Sequence, residues 1–124
     1  GKLRISGQHE EVIIIRKKGQ VECLDTLKLG LFIGITNHLA NCLDEKMVPL
    51  EPGESVILYT DGITEALNTE QKVYGQKRLC DVIRQSWAGS AEQIKNAVVK
   101  DVYQYIGKQK VLDDMTLIVF KRRQ

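Results

Sequence analysis

Two short acidic stretches are the residues best placed to do chemistry in this chain. The first is Ile57-Leu58-Tyr59-Thr60-Asp61-Gly62, where a carboxylate follows an apolar run and a glycine comes next. A strand end holds such a carboxylate in place, and a residue without Cβ lets another group approach its backbone. The second is Asp113-Asp114, directly before Met115-Thr116-Leu117-Ile118-Val119. Adjacent carboxylates repel, and a hard divalent cation is the common remedy. If the two apolar runs are neighbouring strands, Asp61 and Asp113 converge at one end of a sheet. An all-oxygen donor set favours magnesium or manganese over zinc. The competing reading is simple: Asp-Gly after a strand is also an ordinary turn, and Asp before a strand an ordinary solvated cap.

Other candidates are weaker. His9 reads as a surface histidine in a turn, and His38 has no partner at metal-ligand spacing. Thr64 and Glu65 follow the first aspartate and suit supporting positions, although a carboxylate is equally natural at a helix start. No serine or cysteine stands in a nucleophile-elbow context, and no glycine-rich loop matches a phosphate-binding loop.

The elements that must position these residues can be read from periodicity. Lys2 to Ser6 alternates as a half-buried strand ending at Gly7, and Val12-Ile13-Ile14-Ile15 reads as a strand buried on both faces. Lys18-Gly19-Gln20 turns the chain into Val21 to Leu24, a hairpin partner. Leu27 to Ile35 is apolar, but Gly30 and Gly34 mark it as a loop packed on the core. Asn37 to Lys46 is polar and ambiguous, and Pro49 with Pro52-Gly53-Glu54 reads as a turn before a strand over Ser55 to Thr60. Ile63 to Asn68 suits a short helical turn. A helix follows Tyr74-Gly75, with Leu79, Val82, Ile83 and Trp87 at helical spacing and Gly89 at its end. Ser90 and Gln93 form a capping box that opens a second helix to about Ile106, striped by Ile94, Ala97, Val98, Val102 and Ile106. Gly107 closes it, and Met115 to Lys121 is the last strand, with Leu117, Val119 and Lys121 on one face. This order predicts an α+β fold of mainly antiparallel strands and two amphipathic helices.

Composition narrows the function classes. The 124 residues amount to one domain or less, and 43% hydrophobic with 27% charged residues is the balance of a globular protein. A net charge of +2 is too small for a nucleic-acid footprint, and no apolar run is long enough to span a membrane. Cys23, Cys42 and Cys80 are odd in number and lack CxxC spacing, so they read as reduced, mostly buried thiols of a cytoplasmic protein. The opening at Gly1-Lys2-Leu3 is already strand-like, as in a piece of something longer.

The run Leu50-Glu51-Pro52-Gly53-Glu54-Ser55-Val56-Ile57-Leu58-Tyr59-Thr60-Asp61-Gly62-Ile63-Thr64-Glu65-Ala66 resembles the central signature of the SpoIIE/RsbU-type serine phosphatases. These are the bacterial branch of the metal-dependent protein phosphatases, the PPM family. Tyr74-Gly75 with Arg78-Leu79, then Ser90-Ala91-Glu92-Gln93-Ile94, then Asp113 to Val119 follow in that family's order, and Ser6-Gly7-Gln8-His9 and Leu29 to Ile35 resemble it more loosely. The resemblance implies a partial PPM-type β-sandwich with flanking helices. It also implies a reaction in which two manganese or magnesium ions activate a water against phosphoserine or phosphothreonine. By motif Asp61 and Gly62 match one metal site, Asp113 the acidic ligand before the last strand, and Asp114 an adjacent, weaker position. The family's upstream Gly-Asp motif, whose aspartate bridges both metals, has no match here; Asp25 stands in the wrong context. Residues 1–124 therefore resemble the C-terminal part of a phosphatase domain, expected to be inactive alone. The implied partner is a phosphorylated regulatory protein such as an anti-sigma-factor antagonist in a partner-switching pathway. A non-catalytic interaction module built on a degenerate phosphatase fold is the alternative. The absent segments would leave an apolar sheet face uncovered around Ile13, Ile57 and Ile118, which read as buried on both faces, so a homodimer is expected.

Overall fold

Val12–Ile15 has two β-branched residue types and no polar break, so it can lie only where both faces of a strand are covered. In the computed structural model, which describes residues 1–7, 9–30, 44–111 and 113–124, all four of its residues are buried. This strand, β2, is central to a four-stranded antiparallel sheet in the order β3-β2-β5-β6, with β3 (Val21–Leu24), β5 (Ser55–Tyr59) and β6 (Leu117–Lys121). The hairpin joining β2 to β3 turns through Lys17–Gly19, where Lys18 and Gly19 both take positive φ. A second sheet pairs β1 (Lys2–Ser6) antiparallel with β4 (Glu45–Pro49). The expected α+β class and its antiparallel strands are observed.

Alternation divides the core in two. Ile13, Ile15, Ile57 and Tyr59 face a cluster shared with the helices, whereas Val12, Ile14 and Val56 join Ile5, Val48 and Leu50 beneath the small sheet. The helices are α1 (Asp61–Thr64), α2 (Gln76–Ser86) and α3 (Ala91–Ile106). Helix α3 opens on the expected capping box: Ser90 accepts from the Gln93 N–H at 3.1 Å and the Ser90 N–H donates to Gln93 Oε1 at 2.8 Å. It buries Ile94, Val98, Val102 and Ile106, each worth about 1.5–3 kcal/mol relative to exposure. Arg78 of α2 donates twice to Asp101 of α3, at 2.8 and 3.0 Å, and its guanidinium lies over the rings of Tyr74 and Tyr105. That clamp fixes the angle at which the helices cover the sheet.

Five expectations need correction. Pro49 ends a strand rather than joining a turn, because β4 has a single buried residue, Val48, and its register with β1 comes from pairing and not from hydrophobic pattern. The helical turn after β5 begins at Asp61, two residues earlier than expected, and closes at Thr64. Strand β6 is covered on one face only: Ile118 and Phe120 are 43% and 54% exposed, since the small sheet does not reach the β6 edge. Cys23 is exposed and Cys80 only half-buried at the margin of the helix-side core, so neither is the mostly buried thiol expected. Trp87 leaves the α2 stripe and rests on Gly19, where a Cβ would meet its ring at 2.8 Å. In the segment over residues 27–35, Leu29 is buried and Leu27 exposed. Gln8, Gly34, His38 and Cys42 lie outside the described residues, and no helix among the described residues is long and apolar enough to cross a membrane.

Candidate active site

Strands β5 and β6 are hydrogen-bonded neighbours, with Tyr59 opposite Leu117. The exit of β5 therefore lies beside the entrance of β6, as the sequence argument required. Thr60 stitches the two together beyond the ladder. Its N–H donates to the Thr116 carbonyl at 3.1 Å, and its Oγ1 accepts from the Thr116 N–H at 2.9 Å. That hydroxyl is the natural cap of α1, yet it makes no capping bond there because it is turned to β6. Asp61 follows as the first residue of α1, with its carbonyl accepting from the Glu65 N–H at 2.8 Å.

The closest approach is at Gly62, which is buried. A Cβ placed on it would lie 2.1 Å from the Asp114 carbonyl oxygen and 3.0 Å from its carbonyl carbon. Its φ is not positive, so the glycine serves close approach and not an unusual turn. This contact presses the Asp61-Gly62 turn against the Asp113-Asp114 turn. Asp61, Asp113 and Asp114 are all exposed, and the Asp113 carboxylate accepts from the Asp114 N–H at 2.7 Å. A cavity of about 120 Å³ opens at this junction, with Gly62, Glu65, Ile106, Lys110, Asp113 and Met115 among its lining; of the three aspartates only Asp113 lines it.

Other acidic residues are occupied elsewhere. Asp25 accepts from the Leu27 N–H and Asp44 from the Glu45 N–H, both as turn residues. His9 is exposed, and its N–H donates to Thr26 Oγ1 at 3.1 Å. Thr60, Thr116 and Lys110 are the contributors that sequence reasoning missed. Only Thr60 acts through its side chain; Thr116 takes part through its backbone N–H and carbonyl, which its residue type does not signal. Among the described residues no three His, Cys, Asp or Glu side chains gather closely enough to hold a metal by themselves.

Two supports lie further along β5. Burial, with Glu10 and Glu11 nearby, pushes the Tyr59 hydroxyl up to about 12, so it stays neutral, and its oxygen accepts from Gln76 Nε2 at 3.4 Å. At the other end Glu54 is buried and accepts from Arg16 Nη1 at 3.0 Å and the Glu51 N–H at 2.9 Å. Burial alone would raise its pKa, but those donors, with the Lys17 N–H, outweigh it and the net shift is downward.

The family model described as Stage II sporulation protein E (SpoIIE) matches residues 1–123. The chain belongs to the SpoIIE family. A curated relative, Protein IcfG of Synechocystis, is 26% identical over 118 residues, which is 95% of this chain and 18% of that protein. The SiaA PP2C domain of Pseudomonas aeruginosa superposes with a TM-score of 0.80 at 23% identity, over 97% of this chain and 46% of its own. The PP2C phosphatase domain of SpoIIE from Bacillus subtilis, together with a fragment of its regulatory domain, gives 0.73 at 18% identity, over 97% and 34%. The RsbU and RsbW domains of a Mycobacterium tuberculosis protein give 0.73 at 16% identity, over 99% and 33%. At these identities the superpositions show a shared fold. The chain spans less than half the length of each of these proteins.

Proposed function

We propose that this chain is the C-terminal part of a PP2C-type protein serine/threonine phosphatase domain. Asp61, Gly62, Asp113 and Asp114 are its share of a divalent-metal site. The observation that carries this reading is the seating of Gly62 against the Asp114 carbonyl, which joins both acidic turns beside one cavity. Membership of the SpoIIE family supports the phosphatase class, and coverage of 46% and 50% of two solved phosphatase domains supports the reading as part of a larger unit.

The donors fit a hard cation in type: carboxylate oxygens of Asp61, Asp113 and Asp114 and the Gly62 carbonyl suit manganese or magnesium. They do not complete a ligand set, so the remaining oxygens come from water, substrate and the rest of the domain. A crystal form of the Bacillus subtilis SpoIIE phosphatase domain is described as manganese-presoaked. When bound, such a cation supplies Lewis-acid stabilisation of phosphoryl oxygens and a more acidic water. The chain's own residues hold the acidic edge in place through Thr60 and Thr116. Lys110 brings a cation to the cavity for a phosphoryl group, and Glu65 brings a hydrogen-bond acceptor. Ile106 and Met115 keep one wall dry.

The substrate in this reading is phosphoserine or phosphothreonine on a regulatory protein, such as an anti-sigma-factor antagonist in cytoplasmic partner switching. The RsbU and RsbW domains among the structural relatives support that class of partner. The test is release of nitrophenol from para-nitrophenyl phosphate with manganese. The longer parent chain should turn over and lose activity on Asp61→Asn, by more than the roughly 10–100-fold that loss of a ligand's outer partner costs. The 124-residue chain alone should not. A folded but inert parent would favour a non-catalytic interaction module, and turnover by this chain alone would contradict the partial-domain reading.

A further inference from the structure

Cys23 and Cys80 are 57 positions apart in sequence, yet their sulfurs lie 3.8 Å from each other. The topology explains why. Cys23 is paired with Ile13 across the β2–β3 ladder, and cross-strand partners share a face. Ile13 points into the core beneath the helices, so Cys23 projects to the helix side from β3, an edge strand. Cys80 is on α2, packed against that same core. The two thiols therefore meet at the seam between the sheet edge and the first long helix. Cys23 is exposed and Cys80 half-buried.

We propose that Cys23 and Cys80 are a redox-modification site that closes reversibly to an intramolecular disulfide, with a small-molecule disulfide such as glutathione disulfide as the oxidant. The exposed Cys23, as its thiolate, attacks one sulfur of the oxidant, breaks its S–S bond and releases one small thiol. Cys80 then gives its proton to solvent, its sulfur attacks Cys23 Sγ, and the second small thiol leaves. The protein loses two electrons and two protons, and the oxidant gains them. Burial, and then the neighbouring Cys23, raise the Cys80 pKa, which assigns first attack to Cys23 and resolution to Cys80. A sulfur separation of 3.8 Å is van der Waals contact, and bond formation at about 2.05 Å asks for a side-chain rotation and a small shift of an edge strand.

The experiment equilibrates the reduced full chain in graded glutathione buffers, traps free thiols by alkylation and maps the peptides by mass spectrometry. The expected product is a Cys23–Cys80 linked peptide that dithiothreitol reverses, that persists in Cys42→Ser, and that is lost in Cys23→Ser and in Cys80→Ser. In Cys80→Ser, Cys23 should accumulate as the glutathione mixed disulfide. The oxidised chain should melt about 5 °C or more above the reduced one, because the bond closes a long loop. Cys80 still alkylatable in the most oxidising buffer, with Cys23 either free or held only as the glutathione mixed disulfide, would overturn the proposal. So would linkage of Cys23 only to Cys42 or to another chain.

Discussion

Two adjacent side chains at the start of β5, Glu54 and Ser55, are both buried and behave in opposite ways. Ser55 is fully buried, and its hydroxyl finds no partner among the described residues. Ser55→Ala should therefore be neutral or raise the unfolding free energy by up to about 1 kcal/mol, read from urea denaturation. Glu54 is the opposite case, a buried carboxylate whose folded pKa lies below its ordinary value. Its contribution is present above the unfolded pKa and is lost as pH falls through the folded one. Asp101 is shifted the same way, first through its hydrogen bonds from Arg78. The melting temperature should fall as pH drops below about 4.5, with Glu54→Gln flattening that dependence. At pH 7 the same substitution should cost about 1.5–3 kcal/mol through lost charge-assisted hydrogen bonds. An unchanged pH profile in Glu54→Gln would contradict this assignment.

Elements meet most tightly where α1 leaves β5 and β6 begins. Gly62→Ala would drive a Cβ against the Asp114 carbonyl, a backbone atom that cannot swing aside. It should cost at least about 1–3 kcal/mol and separate the acidic turns, while an exposed, uncharged change such as Gln104→Ala leaves melting unaltered. A Gly62→Ala chain with wild-type stability would mean that the two turns are not held by this contact. The close approach was legible in the sequence only as one of two readings, because Asp-Gly after a strand is also an ordinary turn. The buried strands, both long helices and the Ser90–Gln93 cap were legible too, since each carries its own period or cap. Strand β4 was not, because Glu45, Lys46 and Met47 are exposed and only Val48 marks a buried face. Thr60 and Thr116 were missed for a related reason: a hydroxyl that fastens two strand ends leaves no periodic trace.

At the scale of the whole molecule, the four-stranded sheet is covered by helices on one face and only in part by the small sheet on the other. Ile118 and Phe120 stand exposed opposite Leu58 and Val56, and β6 is an edge. Such a surface favours pairing with a second copy. Light scattering should find a dimer at high concentration that Phe120→Ser weakens; a monomer at all concentrations would contradict it. The account's central claim, however, is that Asp61 and Asp113 hold a divalent cation together. Calorimetric titration of the chain with manganese tests it most directly. With no third carboxylate gathered at the site, binding should be weak, and Asp61→Asn or Asp113→Asn should each abolish it without changing the circular dichroism spectrum. Manganese binding that survives both substitutions undiminished would contradict the assignment.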